Sequence, residues 1–208
     1  MTISAERRGR AFSEAQTFAE FIESMQVNQA DFRANFASYS LTEAEKAFFA
    51  GLPGPLDVLV LAHDWCGDVL ANLPLFGRIE ADTGKLRLHI IPRDPHNTDI
   101  AAAYPYPLDG STRIPAYVFF NQAGEELGVF IERPAVITAL QKGWSADFFA
   151  ANPGLEGKNK PLGDLPEEVK QPLLKYLKAR RREAQAEEKA AILQEIQPIL
   201  NRTLTLVN

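Results

Sequence analysis

The sequence predicts an α/β fold with helical additions at both ends, and three observations point there. Residues 56–63 form a near-continuous apolar run, as expected of a strand buried on both faces. That run passes through the turn Trp65-Cys66-Gly67-Asp68 into a helical pattern carrying Val69, Leu70, Leu73, Leu75 and Phe76. An alternating strand over 86–91 follows, and then a hairpin of 116–120 with 127–131.

The elements follow in order. Over 1–52 the pattern is helical. Phe18, Phe21, Ile22 and Met25 recur at helical spacing, and Phe32 and Phe36 extend it after a polar break at Asn28. Thr42 and Glu45 make a capping box ahead of Phe48 and Phe49. Gly51-Leu52-Pro53-Gly54-Pro55 stops that helix and marks a boundary. The central region, 53–152, holds the strand–helix alternation, with a helix expected over 67–81. Residues 95–111 read as loop, with a helical turn over 100–103. After the hairpin, Pro134 suits the first position of a helix burying Val136, Ile137 and Leu140. The third region, 153–208, opens with a linker containing Gly154, Gly157, Pro161 and Gly163. It continues as a Leu-, Ala- and charge-rich helical stretch from Pro172 to about residue 201, which Pro172 starts or kinks. Arg180-Arg181-Arg182, beside Glu183, Glu187 and Glu188, reads as a solvated helix face.

Composition limits the function classes. The 208 residues carry a net charge of −5, which argues against a general nucleic-acid binder, since phosphates call for a basic surface. One cysteine cannot form an internal disulfide, so a reducing compartment is the natural home and the cytoplasm is expected. The N-terminus has basic residues without a following apolar run, and no stretch approaches a membrane span; neither a secretory signal nor a membrane association is expected. Three scattered histidines, His63, His89 and His96, do not give a metal-ligand spacing, and no metal or cofactor is expected. His63 and His89 read as packed or hydrogen-bonded, and His96 as a solvated loop residue. Asp64, Asp94 and Asp99 read as strand-end and loop residues.

The order β-α-β then β-β-α, with cysteine at the first strand-to-helix junction, resembles the thioredoxin superfamily, specifically bacterial thioredoxin-like proteins with a Trp-Cys-Gly-Asp-Cys motif. The likeness rests on Trp65-Cys66-Gly67-Asp68, on Pro74 eight residues after the cysteine, and on Arg113-Ile114-Pro115-Ala116-Tyr117-Val118-Phe119-Phe120. It covers residues 53–152, about half the chain. The resemblance implies a central mixed sheet flanked by helices, a cis bond before Pro115, and a site in which the Ile114 backbone pairs with an extended substrate strand beside Cys66.

Thiol–disulfide exchange requires a thiolate. A helix N-terminus offers unpaired N–H groups and a favourable dipole, and such sites lower a cysteine from pKa ~8.5 to roughly 3.5–7.5. Cys66 is therefore the expected nucleophile. Trp65 shelters the sulfur, and Gly67 leaves room for substrate. Asp68 disfavours a second nearby negative charge and has a tuning role. Arg113, Ile114 and Pro115 complete the expected substrate-binding set, with Arg113 placed by resemblance near the thiolate. Arg133 is not read as catalytic.

Two positions depart from the family pattern. Val69 occupies the place of the second cysteine, and Val60 that of a buried acid six residues before the nucleophile. A self-contained dithiol cycle is excluded. The expected activity is monothiol exchange on a protein disulfide or low-molecular-weight thiol substrate, completed by an external thiol. The alternative is a redox-inactive binding or adaptor module. The amphipathic termini are expected to dock on the core or to pair in a homodimer.

Overall fold

The computed structural model describes residues 2–205. Met1 and residues 206–208, the end of the expected C-terminal extension, lie outside the described residues. Four strands form one mixed sheet: β1 (Leu56–Leu61), β2 (Leu86–Ile91), β3 (Ala116–Phe120) and β4 (Glu126–Ile131). Their order is β2-β1-β3-β4. β1 runs parallel to β2, with Leu56 opposite Leu86 and Leu61 opposite Ile91, and antiparallel to β3. β3 and β4 are the predicted hairpin, with Ala116 opposite Ile131. The fold is α/β, as the sequence predicts.

The chain divides into two compact units. One comprises the chain up to Glu132 together with the chain from Leu193 onward; the other comprises Arg133–Ile192. The first holds the sheet and the helices α1 (Ala5–Glu14), α2 (Phe18–Ser24), α3 (Gln29–Ser38), α4 (Glu43–Ala50), α5 (Gly67–Thr83) and α6 (Thr98–Ala103). The second holds α7 (Ala135–Ala151), a 3-10 turn (Leu162–Asp164), α8 (Glu167–Glu183) and the start of α9 (Gln185–Thr205). This division cuts across the regions 53–152 and 153–208 drawn from sequence texture. α7 groups with the helices that follow it, and the end of α9 groups with the sheet.

In the first unit the N-terminal helices dock on their own chain. Gln16 forms a two-bond antiparallel bridge with Ile90, which covers part of the β2 edge. α3 packs along α5, and the Phe18 ring of α2 lies so close to α5 at Gly77 that a Cβ there would overlap it. Pro74 lies inside α5, as expected from its place in the sequence. A proline cannot donate to the carbonyl four residues back. That carbonyl, of Leu70, instead accepts from Asn35 Nδ2 at 2.8 Å, and the next, of Ala71, accepts from the Tyr39 hydroxyl at 3.0 Å. The core between α5 and the sheet is aromatic, with Phe76 stacked on Tyr117 at 3.9 Å and flanked by Phe119 and Phe130.

In the second unit Phe148, Phe149, Leu165, Val169 and Leu173 form a separate apolar core. The helical stretch expected from Pro172 is two helices. α8 begins at Glu167, where Pro166 precedes the first helical residue, and the chain breaks at Ala184. The solvated reading of the arginine run holds in part. Arg180 pairs with Glu183 at the surface. Arg181 is buried and pairs with buried Glu188 through two bonds, Nε to Oε2 at 3.0 Å and a terminal nitrogen to Oε1 at 2.5 Å. The turn between the helices brings the two charges together, and a buried pair of this kind must be matched to be tolerated.

Candidate active site

β1 ends at Leu61, two residues short of the apolar run, because His63 and Asp64 turn the chain toward α5. Cys66 is the N-cap residue of α5, with extended φ −79° and ψ 125°, and its side chain makes no capping bond to the helix. Its amide donates to the His63 carbonyl at 3.1 Å, and its carbonyl accepts the first helical bond, from Leu70 at 3.0 Å. The residue is only 8% exposed. Its Sγ donates to the Ile114 carbonyl at 3.5 Å. The Ile114–Pro115 peptide bond is cis. Cys66, Ile114 and Pro115, separated by nearly fifty residues in sequence, thus meet at one end of the sheet.

The flanks differ in access. Trp65 is 58% exposed and stacks on the His63 ring, with centroids 5.2 Å apart and planes 17° from parallel. Gly67 is exposed, and a Cβ added to it would meet nothing within 4 Å, so the approach beside Cys66 is open. Asp68 is buried in the first turn of α5. Val69, also in that turn, is fully buried, and Val60 is buried in β1. Neither can carry a proton or attack a disulfide.

Arg113 holds the cis loop together. Its guanidinium donates to Glu132 at 2.5 Å, to Asp109 at 2.6 Å and to Ser111 at 3.1 Å. It also lies 3.7 Å over the Tyr106 ring. The Ser111 hydroxyl and amide, donating to Asp109 at 2.6 and 2.9 Å, and then Arg113 hold the Asp109 carboxyl at about 2, well below the usual carboxylate range. The Glu132 amide donates to the Pro115 carbonyl at 2.7 Å. Buried Asn72 ties α5 to the same place, donating to the Glu132 carbonyl at 2.7 Å and accepting from the Tyr117 hydroxyl at 2.5 Å.

Sequence reasoning did not single out His63, Asp64 and Asn72 as parts of this site. His63 Nε2 accepts from the Asp94 amide at 3.2 Å, and the Asp94 carboxylate lies 3.6 Å away. Burial pushes the His63 imidazole below its ordinary value; Asp94 opposes and Arg93 adds to the shift. Asp64 binds the turn between α2 and α3. These partners come from distant loops, so no local sequence signal marks them. His89 is structural as expected, paired with Asp57 at 2.8 Å and stacked on Phe12 at 4.1 Å. His96 lines a shallow cleft with Arg7, Arg10, Glu14 and Asp99. Among the described residues, no three His, Cys, Asp or Glu side chains are grouped to hold a metal ion. None of the described helices is long and apolar enough to cross a membrane.

Comparison with known proteins agrees with this architecture. The chain is similar in structure to a protein of unknown function from Pseudomonas aeruginosa, with 19% identity, a TM-score of 0.53, and coverage of 81% of this chain and 93% of that one. It is also similar to an HIV epitope-scaffold, with 18% identity, a TM-score of 0.55, and coverage of 88% and 96%. At these identities the likeness is one of fold. No curated protein matches the chain. A family model described as Thioredoxin matches residues 15–145, well over half of the chain, so that the cysteine at the strand–helix junction sits within a match of sequence as well as of shape. The chain belongs to the thioredoxin family.

Proposed function

We propose that the protein is a monothiol thiol–disulfide oxidoreductase acting through Cys66. The observation that supports this best is the placement of Cys66 Sγ at the start of α5, 3.5 Å from the Ile114 carbonyl and next to the open face of Gly67. The Cys66 thiolate attacks one sulfur of a disulfide R–S–S–R′. The S–S bond breaks, Cys66–S–S–R forms, and R′–S⁻ leaves and takes a proton from water. The thiolate of an external low-molecular-weight thiol then attacks the sulfur of R. The Cys66–sulfur bond breaks, a new disulfide forms on R, and Cys66 returns as thiolate. No cofactor is required, since the external thiol supplies the electrons.

The remaining residues take supporting roles on this reading. The backbone beside Ile114 and Pro115 pairs with the substrate strand, Trp65 and Gly67 line the approach, and Asp68 tunes the thiolate. Arg113, through Asp109 and Glu132, keeps the cis loop in shape. A reducing, cytoplasmic setting suits a chain with one cysteine.

A second reading, a redox-inactive binding module, is favoured by buried Val69 and by the small exposure of Cys66. Turnover of a peptide disulfide in the presence of glutathione separates the two. On the exchange reading, Cys66→Ser removes all turnover while the fold is kept. Equal rates for Cys66→Ser and the native chain overturn that reading and leave the binding module.

A further inference from the structure

Asp64 immediately precedes Trp65 and Cys66, and it fastens a distant part of the chain to them. Its carboxylate Oδ2 accepts from the backbone amides of Gln26 at 2.7 Å and Val27 at 3.1 Å. Its carbonyl accepts from Asn28 Nδ2 at 2.9 Å. These three residues form the turn between α2 and α3. The turn is fixed from its other side as well. Met25 is buried, Gln29 Nε2 donates to the Ile22 carbonyl at 2.7 Å, and Asn28 takes the left-handed φ of 61° that asparagine tolerates. So braced, the turn leaves the Val27 side chain 47% exposed beside a loop whose Trp65 is 58% exposed.

We propose that the α2–α3 turn is a wall of the Cys66 site, that Asp64 is its positioning residue, and that Val27 with Trp65 selects polypeptide disulfides bearing an apolar side chain near the bonded cysteine over small disulfides. The inference rests on the exchange reading above. Reach identifies the occupant. Asp64 and Cys66 are two residues apart, so their Cα atoms are separated by at most about 7.6 Å, and an extended substrate gains roughly 3.3–3.6 Å per residue. The Val27 amide is held 3.1 Å from the Asp64 carboxylate, so a side chain one to three residues from the attacked sulfur comes within reach of that turn. A disulfide of two short alkyl thiols does not.

The test uses the full chain, with a peptide disulfide carrying leucine beside its cysteine and with 2-hydroxyethyl disulfide as the small probe. Val27→Ser, a surface change, and Asp64→Ala are expected to raise KM for the peptide about fivefold to tenfold, the latter ~1.4 kcal/mol. For Val27→Ser the expected kcat stays within about twofold, and turnover of 2-hydroxyethyl disulfide is unchanged. Asp64→Asn keeps an acceptor oxygen and is expected to restore near-native KM. Equal losses on both probes, or no change on either, overturn the wall while leaving the exchange reading intact. Turnover of neither probe by the native chain removes both proposals together.

Discussion

The imidazole of His63 touches the candidate site on three sides. It stacks on Trp65, its backbone carbonyl accepts the Cys66 amide, and its Nε2 accepts the Asp94 amide. An acceptor Nε2 requires the neutral ring, and burial lowers the group's affinity for a proton. The charged groups around it are Asp94, Arg93 and Asp64. The sign of the pH dependence follows. The folded chain binds its proton less readily than the unfolded chain, whose imidazole titrates near pH ~6.5. The stability from the neutral ring is complete above that value and is lost as pH falls through the lower, folded value. Urea midpoints should therefore drop between pH ~7 and pH ~5, and His63→Gln, which keeps an acceptor without titrating, should flatten that drop. This role was not legible in the sequence. The strand end that carries His63 is local, but the amide it serves is 31 residues away. Cys66 was legible, because a lone cysteine at a strand–helix junction is a local pattern.

Helix α5 carries both the strength and the gap of the site. Its first turn holds Cys66, Gly67, Asp68 and Val69, and its second is interrupted by Pro74. The proline was expected through the family resemblance, from its place eight residues after Cys66; its compensation was not. Asn35 belongs to α3 and Tyr39 is the residue that caps its C-terminal end; nothing local in the sequence marks either, yet both donate to carbonyls in the broken turn. Asn35→Ala should leave the Leu70 carbonyl short of a partner and cost about 1–3 kcal/mol. The check is a lowered urea midpoint with an unchanged slope. Val69 offers the complementary test. It stands three residues after Cys66, where a cysteine would face the sulfur across one turn. Val69→Cys should form an intramolecular disulfide under mild oxidation, read as the loss of both free thiols. Turnover in that variant should depend less on the concentration of the external thiol.

At the scale of the molecule, the hydrophobic pattern was enough for the sheet and the hairpin, since those follow from strand and helix periods, while the meeting of Cys66 with Pro115 was expected only through the family resemblance. The grouping of elements followed from neither. Texture placed a boundary at the glycine- and proline-rich stretch after residue 152, whereas α7 groups with α8 through an apolar core whose members lie on both sides of that stretch. Arg181 shows the same limit: one arginine in a charged run is buried because a turn at Ala184 delivers Glu188 to it. All residues of the candidate site lie in the unit that holds the sheet. The function proposed for that unit turns on whether the fold makes its single thiol reactive. The direct measurement is the rate at which glutathione disulfide adds to Cys66, followed by intact mass on the folded chain and on the same chain unfolded in urea. The expected result is one adduct at Cys66, formed faster on the folded chain and released by excess glutathione. An adduct that forms no faster when folded, or none at all, would contradict the assignment of Cys66 as an exchange nucleophile.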